Sequence, residues 1–202
     1  MAPWLAVVAV LAWAIGAAVS LRLGVWIGLG CTAVVLGATV SAREWVYLRE
    51  LLRPRLRQIV AGLLVGAVMT VATKLLYRPV VEAMPLVGQD VEYLYGKLGS
   101  PGHWKLALAL LPVILGEEVV WRGLVQGAAA RSVGRIPAVP LAASVYALAH
   151  APVGSPALVA AAFGCGLVWG ALRAYSGGLV APLLAHLLWD DMILFVWPLL
   201  PR

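Results

Sequence analysis

Seven apolar stretches make up most of this chain: Pro3–Ser20, Leu23–Val40, Ile59–Tyr77, Leu106–Ala130, Pro137–His150, Pro156–Tyr175 and Leu179–Leu200. Crossing the hydrocarbon core of a bilayer takes roughly 20 apolar residues as a helix. Most of these runs approach that length, and the fifth is short enough to be tilted, broken or continued into Ala151. Of 202 residues, 63% are hydrophobic and only 12% charged, against about 25% charged in an ordinary soluble domain. That balance excludes a soluble enzyme, a disordered tail and a nucleic-acid-binding module. The expected fold is all-α, a polytopic transmembrane helical bundle of about seven spans in one compact body. The first span has no positively charged start and a long apolar run, so it reads as a retained span and not as a signal peptide.

Net charge is +6, but the basic residues flank the apolar runs. They read as topogenic charges and not as a nucleic-acid surface. The connector Ser41–Gln58 holds Arg43, Arg49, Arg53, Arg55 and Arg57 against Glu44 and Glu50. With Trp45, Leu48, Leu52 and Leu56 interleaved, it suggests an interfacial helix interrupted by Pro54. Placing it in the cytoplasm also puts Arg131, Arg135 and Arg173 inside. The outer loop Arg78–Lys105 then balances Arg78, Lys97 and Lys105 against Glu82, Asp90 and Glu92. The expected localisation is therefore a multi-pass cell-membrane protein, N-terminus cytoplasmic and C-terminus extracytoplasmic.

Small residues recur four apart at Gly24 and Gly28, Gly62 and Gly66, Gly123 and Gly127, and Gly166 and Gly170. Such pairs let helices approach closely in lipid. Cys31 and Cys165 lie within apolar runs and imply neither a disulfide framework nor a cysteine zinc site.

The informative charges are those inside the spans: Lys74, Glu117, Glu118, Arg122, His150, His186, Asp190 and Asp191. A charge at the bilayer centre costs at least about 2.5–3.5 kcal/mol, so such residues face a bundle interior or a watery cavity. Lys74, near a helix end, can reach the interface. Glu118 and Arg122 are four apart and can pair on one helix face. Glu117, about 100° around the helix, is then left as the carboxylate free to accept a proton. Tyr146 and His150 stack one turn apart. His186 and Asp190 share a face, where the carboxylate can orient the imidazole. Each pattern also has a purely structural reading: an ion-pair cluster fixing helix packing, an interfacial histidine, a self-satisfied His–Asp pair.

Taken together, Glu117-Glu118-x-x-x-Arg122, Tyr146-x-x-x-His150 and His186-x-x-x-Asp190 resemble the CPBP family, the CAAX-processing and bacteriocin-processing intramembrane proteases, also called the Abi family. The resemblance covers about Leu106–Leu200, with three motifs in the family's order, each in an apolar span. It divides the chain into N-terminal spans, basic connector and outer loop over 1–105 and a catalytic helical core over 106–202. It implies a metal-independent glutamate protease with no cofactor. By resemblance Glu117 activates the water, His150 helps to hold and polarise it, and Glu118 with Arg122 form the accompanying carboxylate and its arginine. His186 and Asp190 match the pair assigned to oxyanion stabilisation. Tyr146 replaces the family's usual Phe. Asp190 stands where Asn is frequent. An ionised Asp cannot donate to an oxyanion, so Asp190 is read as orienting His186. Asp191 stays outside this set.

The His-Glu-x-x-His run of metalloproteases, the Gly-x-Gly-Asp of presenilin-type proteases and a Gly-x-Ser-x-Gly serine site are absent from the sequence. A proton- or ion-coupled transporter and a non-catalytic membrane scaffold are the competing functions, because buried Glu, His and Asp chains also build ion paths. At about 1.5 Å per residue, Glu117 lies roughly 18 Å from the outer helix end near Lys105, and Asp190 roughly 15 Å from Leu200. The expected site thus runs from mid-membrane outward, and the expected partners are the lipid bilayer and a membrane-associated peptide or protein substrate, with no nucleic acid. The Ala, Val, Leu and Arg bias reads as prokaryotic, where peptide maturation or removal of a C-terminal membrane anchor would be the task.

Overall fold

The structure, a computed structural model, describes residues 3–98 and 104–200. The part of the expected outer loop at 99–103, and the side chain of Lys105, lie outside the described residues. All regular structure among the described residues is helical: α1 Pro3–Leu23, α2 Cys31–Leu51, α3 Leu56–Ala83, α4 Pro85–Leu98, α5 Trp104–Glu118, α6 Gln126–Val133, α7 Ala138–His150, α8 Pro156–Ser176 and α9 Val180–Asp191. Wider π-helical turns join α1 to α2 at Trp26–Gly30 and α5 to α6 at Val119–Val125, and extend α9 at Met192–Val196.

The helices are apolar on the outside as well as within, unlike those of a water-soluble bundle. In α1 the inward seam is Leu5, Ala9, Trp13 and Ala17, four residues apart and buried, while Leu11 and Ile15 stand 60% and 66% exposed. In α3 the inward residues are Gln58, Gly62, Gly66 and Thr70, and Leu64, Val68 and Leu75 face out. Outward apolar faces of this kind suit hydrocarbon. Four helices are long and apolar enough to cross a membrane, Trp4–Leu23, Trp26–Leu51, Leu56–Ala83 and Pro156–Ser176, and Ala138–Val153 is a shorter apolar helix. The chain is a multi-pass membrane protein. The expected seven spans exceed these because 106–130 and 179–200 are divided by π turns into shorter helical pieces.

Three local expectations are corrected. The connector is no separate interfacial helix: α2 continues through it to Leu51 with one kink at Glu44 (φ −118°, ψ 24°). Pro54 then falls in the turn before α3, where its fixed φ suits non-helical backbone. Gly24 does not pack two helices together; its φ of +86° with nothing near it ends α1, a conformation glycine reaches without strain. The outer loop is mostly helix, because α3 runs on to Ala83 and α4 occupies Pro85–Leu98.

Elsewhere close glycine crossings do set the geometry. A methyl at Gly62 would sit 2.6 Å from the Ala181 carbonyl oxygen, and one at Gly66 would sit 3.0 Å from that of Ala185. α3 and α9 therefore touch backbone to backbone just where α9 carries His186. Van der Waals contact of this sort, with no hydrophobic drive inside lipid, is what holds membrane helices together.

Candidate active site

The site begins with a glycine. Cβ at Gly116 would lie 2.2 Å from the Ala33 carbonyl oxygen, so α5 presses against α2 at that point and the next two residues are fixed in direction. Adjacent helical residues point about 100° apart, and Glu117 and Glu118 accordingly face different neighbours. Beyond them the backbone widens into the π turn Val119–Val125, all of whose residues are buried. Such turns recur at functional sites because they displace side chains from regular helical register.

Glu118 is wholly buried. Its Oε1 accepts a hydrogen bond from His186 Nδ1 at 2.8 Å and lies 3.3 Å from Arg122 Nη1. The Arg122 guanidinium lies over the rings of Tyr146 and Trp169, at 4.6 and 5.1 Å from their centroids. A weakly hydrated planar cation between two aromatic faces is held without water. His186 stacks on Trp169 at 3.6 Å with 19° between the planes. Its Nε2 stands 3.6 Å from Asp190 Oδ2, one turn along α9. Nδ1 of the imidazole is thus held by one carboxylate, Nε2 faces a second beyond hydrogen-bond reach, and an indole covers one face.

Glu117 belongs to another group. Its Oε2 accepts a hydrogen bond from the Tyr146 hydroxyl at 2.7 Å. One turn further along α7, His150 Nδ1 is 2.8 Å from the Tyr146 carbonyl oxygen, and Trp13 Nε1 is 3.2 Å from His150 Nε2. A carbonyl can only accept and an indole N–H can only donate. His150 is therefore in the Nδ1–H tautomer, with Nε2 accepting from Trp13.

The two groups meet at one cavity of about 290 Å³, lined by Glu117, Tyr146, His150, His186 and Asp190 among apolar side chains. Glu118 and Arg122 are not on its wall. The cavity gathers Leu29 and Gly30 at the start of α2, Thr73 late in α3 and Ala157 at the start of α8. These are the helix ends remote from the arginine-rich connector. Among the described residues, no group of three or more His, Cys, Asp or Glu side chains could hold a metal ion.

Residues 99–192, which hold all three motifs, match the family model described as Type II CAAX prenyl endopeptidase Rce1-like. Over this segment the chain is similar to the Rce1-like proteases. No curated protein and no solved structure matches the chain.

The Rce1-like segment does not build the cavity alone. Val25, Leu29 and Gly30 precede α2, and Val91, Leu94 and Tyr95 of α4 form a further wall. Both lie outside the matched residues. α4 is latched at two places. Asp90 Oδ2 accepts from Ser155 Oγ at 2.9 Å and from the Ala157 backbone N–H at 2.6 Å, at the first turn of α8, where a carboxylate also meets the positive end of the helix dipole. The Tyr95 hydroxyl donates to the Ile193 carbonyl and accepts from the Leu199 backbone N–H at 3.1 Å. Burial pushes this phenol above the ordinary tyrosine value, which keeps its proton on the donor side of that latch.

Of the residues expected at the site, Glu117, His150, His186 and Asp190 line this cavity, and Glu118 and Arg122 lie off its wall, Glu118 hydrogen-bonded to His186. Asp191 is half-buried and off the cavity wall. Lys74 Nζ donates to the Pro198 carbonyl at 2.7 Å and lies 4.7 Å from the Trp197 ring centroid. It ties the C-terminal segment to α3. The residues that sequence reasoning passed over are Trp13, Trp169 and the hydroxyl of Tyr146. Trp13 had a legible signal, its place in the four-residue seam of small side chains on α1. Trp169 lies three residues from Gly166 and one from Gly170, within a small-residue pair already marked as a packing face.

Proposed function

We propose that the chain is an intramembrane endopeptidase in which Glu117 activates water against a peptide bond of a membrane-associated peptide or protein. The observation that carries this reading is the division of the two adjacent glutamates: Glu117 opens on the cavity, whereas Glu118 is sealed behind it. Only the first can meet both water and substrate. In the proposed reaction Glu117 takes a proton from water as the oxygen attacks the scissile carbonyl carbon. The negative charge gathers on the carbonyl oxygen, where His186 Nε2–H, which is 3.6 Å from Asp190 and not hydrogen-bonded to it, would donate. The C–N bond then breaks as the proton held by Glu117 passes to the leaving nitrogen, which returns the carboxylate.

Asp190 orients His186 in this scheme, and Glu118 with Arg122 holds its other nitrogen in place. His150 can hold the attacking water only when Nε2 exchanges the Trp13 N–H for a water O–H. No metal or cofactor takes part. The bundle is read as seven spans, with the shorter helix Ala138–Val153 and the pieces over 104–133 and 180–196 crossing beside the four long helices, and the 106–202 region as its catalytic part. With the arginine-rich connector in the cytoplasm, the cavity lies toward the extracytoplasmic side. Substrates would arrive from the membrane or that face, as precursor peptides or C-terminal anchors.

The test is the purified protein in phospholipid vesicles, offered quenched fluorogenic peptides with an apolar membrane segment. Wild type should cleave, Glu117→Gln should not, and added EDTA should make no difference. Equal cleavage by Glu117→Gln would remove the assigned base, and inhibition by EDTA would end the metal-independent scheme.

A further inference from the structure

Three hydrogen bonds link four groups in series at this site. Trp13 donates to His150, His150 donates to the backbone of Tyr146, and the Tyr146 hydroxyl donates to Glu117. In this arrangement the His150 ring has no nitrogen left for water. Among the described residues, the phenol of Tyr146 donates to Glu117 Oε2 at 2.7 Å. We propose that Tyr146 is the positioning residue of the reaction: its hydroxyl fixes Glu117 Oε2, so that the carboxylate presents its second oxygen to the cavity in one orientation.

The environment of the phenol supports this. Tyr146 is 5% exposed, and its ring is fixed on several sides. Arg122 lies against the face, Trp121 meets it edge-on at 5.0 Å, and His150 stands 4.5 Å away. A side chain so confined places its hydroxyl oxygen within a narrow range. A charge-assisted O–H···O⁻ bond in a dry site is also stronger than its neutral counterpart. A carboxylate on a helix otherwise turns freely about its last bond, and a base that must face water loses rate for each wrong orientation. Tyr146 removes that freedom from Glu117. The Arg122 guanidinium links the two halves of the site, because it touches Glu118 and the ring of Tyr146 together.

The inference rests on Glu117 being the base, and its test separates the two claims. Protein with 13C-carboxyl glutamate is placed in phosphatidylcholine–phosphatidylglycerol vesicles, and the wild-type minus Glu117→Gln infrared difference isolates the Glu117 carboxyl band. Tyr146→Phe removes one oxygen from a packed ring, keeps its volume, and should shift that band. Trp13→Phe disturbs the same aromatic cluster without touching Glu117 and should leave the band in place. On a cleaved fluorogenic peptide, Tyr146→Phe should lower kcat by about 10- to 100-fold with KM unchanged, the loss of one charge-assisted hydrogen bond made by the reacting group. A band that stays put in Tyr146→Phe overturns the proposal even if activity falls. A band that moves equally in Trp13→Phe overturns it too, because loosened packing then explains the shift. Cleavage by Glu117→Gln at the wild-type rate would instead remove the role of Glu117 in hydrolysis, while the band would still report whether Tyr146 holds it.

Discussion

A carboxylate serves as a base only where water can reach it, and serves as a structural anion only where water cannot. Glu117 and Glu118 occupy these two environments side by side. Removing the partner of a buried charge costs about 3–5 kcal/mol, since the remaining ion stays uncompensated. Arg122→Met should therefore destabilise the protein by about 3 kcal/mol, the low end of that range, in detergent unfolding, because Glu118 is sealed from solvent but keeps its hydrogen bond from His186. Glu117→Gln should change stability by about 1 kcal/mol or less, as a hydrogen-bond exchange with Tyr146, while cutting hydrolysis by about 10²- to 10⁴-fold. A reversal of these two patterns would exchange the roles of the glutamates. At this scale the sequence was informative: the i, i+4 spacing of Glu118 and Arg122 and of His186 and Asp190 already placed each pair on one face. It could not show the phenol of Tyr146 meeting Glu117 from another helix. A Tyr in place of Phe looks like a mild change until the contact of α7 with α5 is known.

Elements were harder to read. Apolar length located the four long helices, because hydrocarbon thickness is a strong constraint. It could not reveal the π turns, which arise from one extra residue within a turn and leave no periodicity behind. Nor could it show α4, where alternating charges disguised an inward face of Val91, Leu94 and Tyr95. Two predictions concern element contacts. Gly116→Ala puts a methyl against the Ala33 carbonyl and should cost about 1–3 kcal/mol of stability by overpacking. Activity should fall with it, since α5 must shift and carry Glu117 along. Asp90→Asn removes the charge that latches α4 to the first turn of α8. Cys165, which lines the cavity, should then react about tenfold faster with a membrane-permeant maleimide, from more frequent local opening. Cys31 is exposed and is replaced by Ser for that measurement. An unchanged rate would mean that α4 does not control entry.

For the molecule as a whole, the distribution of charge sets the orientation to be tested. Arg53 and Glu92 are both exposed and lie at opposite ends of the bundle, one on the connector and one on α4. Single cysteines at these positions in a Cys31→Ser, Cys165→Ser background should label from opposite sides with an impermeant reagent, Glu92→Cys from outside the cell. The reverse pattern would turn the cavity toward the cytoplasm. Only the polarity of the bundle was open to sequence reasoning here, through its arginines. The way the N-terminal helices complete the cavity was not, because contacts across lipid-embedded helices depend on small residues whose spacing is also common by chance.

The hydrogen bond between Trp13 and His150 joins residues 137 positions apart in the chain. Helices enter a membrane in the order of their synthesis, and α1 is in place long before α7 exists. Each new molecule therefore passes through an interval in which the motifs of the matched segment are only partly made and the indole waits without its imidazole. The candidate site closes last, as α7 through α9 settle against helices already inserted. The cavity around Glu117 is therefore complete only after the last helices have joined those already inserted.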